Sequence, residues 1–180
     1  MIPPTNPTNC TDGAGSTSNT WQNSSDDPIF TWSGADGTGS AITGYAVYWG
    51  ESPSGENEGN IVLSEGYDPP AAVSGTYFLR VSTKDEAGLA APWETIYTFK
   101  YDNSAPVIAG VSALESNGSS DNNPQNTVTS PQFTLSGLVD PDSGLQYYHR
   151  YFGSDPAGTD TTNTPPSTTN YSPGSFTDGS

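Results

Sequence analysis

The sequence predicts an all-β protein made of tandem antiparallel β-sandwiches, the second of them incomplete within its 180 residues. Three observations lead there. Apolar side chains recur at every second position, Gly and Pro punctuate the chain at 20 and 16 places, and one long segment occurs twice. Period-two patterning between turn clusters is the signature of half-buried strands, and self-similarity at long period marks whole modules rather than short repeats.

The elements follow in chain order. Residues 1–27 are polar and carry no alternating apolar face, so they read as an N-terminal arm or a first strand. In FTW, Phe30 and Trp32 share a face. In ITGYAVYW, Tyr45, Val47 and Trp49 alternate with Ala46 and Tyr48. In TYFLRVST, Tyr77, Leu79 and Val81 alternate with Phe78, Arg80 and Ser82, and in TIYTFKYD, Tyr97, Phe99 and Tyr101 alternate with Thr98 and Lys100. The first-named residue of each pair is expected inside, because slipping a strand by one residue would expose its whole apolar face. Residues 28–104 therefore predict a complete sandwich.

The repeat sets PIFTWSGADGTGSAITGYAVYWGESPSG (28–55) over PQFTLSGLVDPDSGLQYYHRYFGSDPAG (131–158), ungapped at an offset of 103 with 11 identities in 28 positions. Downstream, one inserted residue pairs Tyr67 with Tyr171 and Gly75 with Gly179. Residues 105–180 thus form a second copy lacking counterparts of YFLRVSTKDEAG and TIYTFKY. Two core strands are missing from it, to be supplied by a longer chain or lent by another subunit. By itself that copy is expected not to form a stable monomer. Arg150 stands where the first copy has Val47, on a face expected to be buried.

These residues resemble fibronectin type III and related bacterial immunoglobulin-like surface modules. FTWSGADGTGSAITGYAVYWG is similar to that family's second and third strands, GTYFLRVSTKDEAG to its sixth, TIYTFKYD to its last, and DNSAP to the linker opening the next module. The resemblance implies a fold and a modular array; it implies no activity, since such folds host many functions.

Composition narrows the rest. The formal net charge is −16, with four cations, Arg80, Lys84, Lys100 and Arg150. So acidic a surface repels phosphate backbones and anionic lipid, so neither nucleic-acid binding nor membrane insertion is expected. Cys10 is the single cysteine, which excludes an internal disulfide or a cysteine metal cluster. The sequence holds no apolar run long enough to span a bilayer.

Catalytic chemistry is not expected. The one histidine, His149, lacks a nucleophile and orienting acid in recognisable context, and the acids cluster in turns, where Asp caps its own backbone. No cofactor is required. Calcium is the ligand the oxygen-rich turns could take, at a module junction drawing on Asp85, Glu86, Asp102, Asn103, Asp140 and Asp142. Asn-X-Ser/Thr sequons at Asn9, Asn23, Asn117 and Asn170 are glycosylation candidates. Tyr48, Phe78 and Ile96 form a candidate contact patch for sugars or another subunit. The resulting expectation is a structural repeat of an extracellular or cell-surface protein: adhesin stalk, spacer or fibre subunit, partnered by neighbouring modules or identical subunits in a filament. The alternative is a carbohydrate-binding accessory module of a secreted enzyme, with glycans as partners.

Overall fold

A computed structural model of the protein describes residues 2–118 and 128–175. Among the described residues there is no helix, and the strands form three sheets. The chain divides into two compact units, Met1–Asn103 and Ser104–Ser180.

In the first unit a small sheet comprises β1 (Asn9–Asp12), β3 (Phe30–Ser33) and β6 (Gly66–Tyr67), in the order β1-β3-β6. A larger sheet comprises β2 (Trp21–Gln22), β4 (Ile42–Gly50), β5 (Ile61–Val62), β7 (Gly75–Asp85) and β8 (Glu94–Tyr101), in the order β2-β8-β7-β4-β5. All pairings are antiparallel except β2 with β8. One core joins the two sheets: Phe30 and Trp32 from β3 meet Tyr45, Val47, Leu79, Val81, Tyr97, Phe99 and Tyr101 from the larger one. The arrangement is consistent with a β-sandwich.

Aromatic rings fill that core, as a chain with only 31% apolar residues requires. The Phe30 ring lies 4.9 Å from Tyr97, 5.4 Å from Trp49 and 6.5 Å from Phe99, centroid to centroid. Trp49 and Tyr77, half-buried, stack at 5.2 Å and pack on the edge of this cluster. The alternation read from sequence therefore places every expected inward residue in the core or against it.

Two features extend or depart from that reading, the first by taking the strand alternative left open for residues 1–27. Residues 1–27 are an integral part of the first unit: β1 pairs with β3 along its length, and β2 pairs with β8. The sandwich expected over 28–104 thus begins near the start of the chain. The second departure is on the outer face of the larger sheet, where Ala46, Arg80 and Ser82 are buried rather than solvated. The turns at 51–58 and 91–93 fold over it: Arg80 donates to the Gly55 carbonyl at 2.6 Å and the Trp93 carbonyl at 3.2 Å, and Ser82 Oγ donates to Ala91 O at 2.7 Å.

Among its described residues the second unit has one three-stranded sheet, order β11-β10-β9, from β9 (Ser112–Glu115), β10 (Phe133–Ser136) and β11 (Asn170–Tyr171). Its register repeats that of the first unit. Asn9 opposite Ser33 becomes Ser112 opposite Ser136, Asp12 opposite Phe30 becomes Glu115 opposite Phe133, and Phe30 opposite Tyr67 becomes Phe133 opposite Tyr171. The strand expected at 145–153, by analogy with β4, does not form; its described pairing is an isolated bridge, Tyr148 with Thr164. In the first unit β4 lies between β5 and β7; among the described residues of the second unit no strand pairs with 145–153 in the place of β7.

A glycine closes the small sheet identically in both units. Gly34 has φ +85° and Gly137 has φ +78°, and a Cβ at either would run into backbone or side-chain atoms of the preceding segment, Thr8 and Gly110 respectively. Left-handed backbone plus this close approach leaves only glycine room. Gly34→Ala is expected to destabilise the first unit by about 1–3 kcal/mol, read as a lowered urea midpoint with unchanged slope.

Candidate functional site

Of the six oxygen-bearing residues expected to gather at a junction, the four in the first unit are split between two ends of one sheet. β7 and β8 run antiparallel with Gly75 opposite Tyr101, so Asp102 and Asn103 lie at one end of the larger sheet. Asp85 ends β7 at the other, a separation on the order of 30 Å at the usual strand rise. Several of these groups cap turns locally. Asp85 is buried and its Oδ1 accepts the Leu89 N–H at 2.7 Å, capping the turn, while its Oδ2 is buried without a hydrogen-bond partner. Asn103 Oδ1 accepts from Ser74 Oγ at 2.9 Å. In the second unit Asp140 Oδ1 accepts the N–H groups of Asp142 and Ser143, another turn cap. Among the described residues no three His, Cys, Asp or Glu side chains are grouped so as to hold a metal ion.

The contact patch is likewise divided. A bulge in β8 sets Leu79 opposite Tyr97 but Arg80 opposite Thr95, so Ile96 is the extra residue, and it packs against the core. Tyr48 and Phe78 stay on the outer face, half-buried. Tyr48 is engaged by its own hairpin: its hydroxyl accepts the Ser52 N–H at 3.2 Å, and its ring lies over Gly50 and Gly55. Tyr151 covers Gly153 and Gly158 in the same way, and the turn bond from Gly55 N–H to Ser52 O recurs from Gly158 to Asp155. The repeated tyrosine is a turn clamp.

All four sequon asparagines are exposed. Asn117 Nδ2 donates to Ser130 O at 2.8 Å and Asn170 Oδ1 accepts from Thr134 Oγ1 at 3.2 Å, so these two amides already hold neighbouring segments. Ser119, which completes the Asn117 sequon, lies outside the described residues. His149 is exposed, stacks on Tyr147 at 5.4 Å and bonds Asn163 Oδ1 through Nε2 at 2.9 Å.

A carboxylate clamp that period-two reading does not detect recurs in both units. Asp12 is buried at the end of β1; its Oδ1 accepts the N–H groups of Ala14 and Ile29, and its Oδ2 that of Ser16. Glu115, its counterpart, accepts from Asn117 and Gln132 N–H, the corresponding positions. Burial pushes the Asp12 carboxyl up, but the hydrogen bonds from Ser16, Ala14 and Ile29 outweigh it and hold the group below the usual range. A depressed folded-state pKa means the stabilisation is complete above the unfolded value of about 3.9 and drains away as pH falls through the folded value. Acid unfolding below that range should accordingly flatten in Asp12→Asn, which should also be less stable at neutral pH. Cys10, two residues before Asp12 on the same face of β1, is pushed up to about 12 by burial and then by Asp12, which disfavours its thiolate at neutral pH.

The most distinctive surface is the open face of the second unit. Phe133 and Leu135, counterparts of Phe30 and Trp32, are only half-buried, and Phe152 is 42% exposed. Phe133 and Phe152 pair at 5.4 Å, the same separation as Phe30 and Trp49, and Phe152 meets Tyr171 at 6.5 Å. Arg150, where the first unit has Val47, pairs with no carboxylate among the described residues; its guanidinium sits 4.1 Å from the Tyr171 ring centroid and Nη1 reaches Asn170 O at 3.3 Å. No protein-family model matches the chain, and no curated protein matches it either.

Proposed function

We propose that the chain is a structural repeat segment of an extracellular or cell-surface protein, two immunoglobulin-like modules of the fibronectin type III kind set in series as a spacer, stalk or fibre subunit. What carries this reading is the repetition of the small sheet, with its register, its closing glycine and its carboxylate clamp each recurring at the corresponding residue. Duplication that keeps scaffold residues and varies surface ones is the pattern of an array selected for its architecture. The acids that drew attention in sequence serve as turn caps, and the acidic exterior favours solubility. No catalytic role is assigned.

The test is to link two, four and six copies of residues 1–180 and measure sedimentation and scattering. A spacer gives a maximum dimension that grows in equal steps with copy number; a value that levels off would overturn the reading. The rival reading, a carbohydrate-binding module, has one observation in its favour: a hollow of about 500 Å³ on the second unit, lined by Gln132, Thr134, Asn170 and Tyr171 among others. Amide and hydroxyl groups beside an aromatic ring suit sugars. Glycan-array binding abolished by Tyr171→Ala would establish it in place of the spacer role.

A further inference from the structure

We infer that the open face of the second unit is a docking site for a β-hairpin whose first strand follows the pattern of β7 but carries a carboxylate opposite Arg150. The inference rests on the modular reading and specifies the partner of this face. The first unit supplies the template. There the equivalent sheet is covered by β4, β7 and β8, and that cover takes Phe30 to 1% exposure and Trp32 to 5%. The second unit presents the same sheet in the same register, with the Phe133–Phe152 ring pair already set at the separation its counterpart has inside a finished core. Its backbone from Tyr148 to Gly153 matches the stretch of β4 that pairs with β7 at every residue from Tyr45 to Gly50. An aligned apolar face beside an underused strand edge is what strand addition requires.

Arg150 sets the chemistry of the occupant. Val47 stands directly opposite Val81 in the β4–β7 ladder, with side chains on one face. A valine opposite Arg150 would bury a guanidinium whose other contacts are a ring and one carbonyl, whereas Asp or Glu there makes a bidentate pair. Overall charge favours the same kind of strand pair. The second unit carries seven carboxylates and one arginine, while β7 and β8 hold the chain's other three cations, Arg80, Lys84 and Lys100. The occupant is not the β7–β8 hairpin of a second copy: Leu79, Val81 and Phe99 are fully buried, and lending them would dismantle the donor's own core.

The experiment appends a copy of Tyr77–Tyr101 directly after Ser180 of the full chain, since Gly179 corresponds to Gly75. Three forms are made: the copied segment unchanged, with Val81→Glu, and with Val81→Lys. Amide hydrogen exchange is followed at β10 and at 148–153. The expected result is slowing by about tenfold or more in the glutamate form, less with valine and least with lysine, and loss of the slowing when Phe133→Asp is added to the glutamate form. Equal protection by glutamate and lysine would show unspecific apolar contact and overturn the inference, as would no protection in any form. Concentration-dependent dimers of the unmodified chain with β10 protected would overturn it in favour of a second copy. The spacer reading stands or falls separately, on dimensions measured without this face occupied.

Discussion

Phe30→Ala is expected to cost the first unit about 3–5 kcal/mol, the usual range for deleting a fully buried aromatic ring. Phe30 is 1% exposed and its ring touches three others, Trp49 from β4 and Tyr97 and Phe99 from β8, the two strands flanking β7. Its removal leaves a cavity that three rigid rings cannot collapse into. Since small domains are stable by only about 5–15 kcal/mol, most of the margin goes with it. The neighbouring Ile29 is half-exposed, and Ile29→Ala should stay within about 0.5 kcal/mol. Phe133→Ala in the second unit should cost distinctly less than Phe30→Ala, because its ring is only half-buried. Urea titration of the three variants checks the order; equal losses at Phe30 and Phe133 would contradict the account of the open face.

Asn6→Ala should be the next most damaging change, at about 2–4 kcal/mol, though Asn6 lies in a stretch with no apolar pattern. Its Oδ1 accepts both the N–H and the hydroxyl of Thr83, at 2.9 and 3.1 Å, and its Nδ2 donates to Pro92 O at 2.6 Å. Thr83 is fully buried, so alanine would strand a backbone donor where no water reaches. Thermal unfolding of Asn6→Ala beside Thr8→Ala, an exposed neighbour, measures the difference. An effect no larger than that of Thr8 would mean that the N-terminal segment is not bound as described.

These two residues mark what the sequence revealed and what it concealed. Phe30, Val47, Leu79 and Phe99 were legible because each sits in a strand of alternating side chains, where one face must be buried. β1 was legible only as one of two alternatives, arm or first strand: NCTD offers one apolar residue, Cys10, and the strand is held by its ladder to β3, by Asp12 and, upstream, by Asn6. Polar anchoring of that kind leaves no periodic trace. Ile96 was misplaced because a bulge shifts side chains by one without changing the alternation that precedes it. The first-unit members of the expected calcium group lie apart for a different reason. Closeness of acidic turns was inferred from the module boundary, while antiparallel pairing of β7 with β8 sends Asp85 and Asp102 to opposite ends. Arg150 was correctly recognised as out of place, and its solution, a ring and a carbonyl in place of a carboxylate, is local geometry that spacing cannot give.

The single parallel pairing in the first unit has a bearing on load. Trp21 and Gln22 run alongside Lys100 and Tyr101, tied by Asn19 N–H to Thr98 O and Asp102 N–H to Gln22 O. Pull the chain from its two ends, and once β1 has come away from β3 tension reaches β2 from its N-terminal side and leaves β8 from its C-terminal side. In parallel neighbours those pulls act in opposite directions along the pair, so the bonds are loaded in shear and must rupture together instead of unzipping singly. Among the described residues the second unit has no parallel pair. Single-molecule stretching should therefore record a distinct rupture peak for the first unit at higher force than any from the second, so that a series of such units under strain would yield first at its open modules.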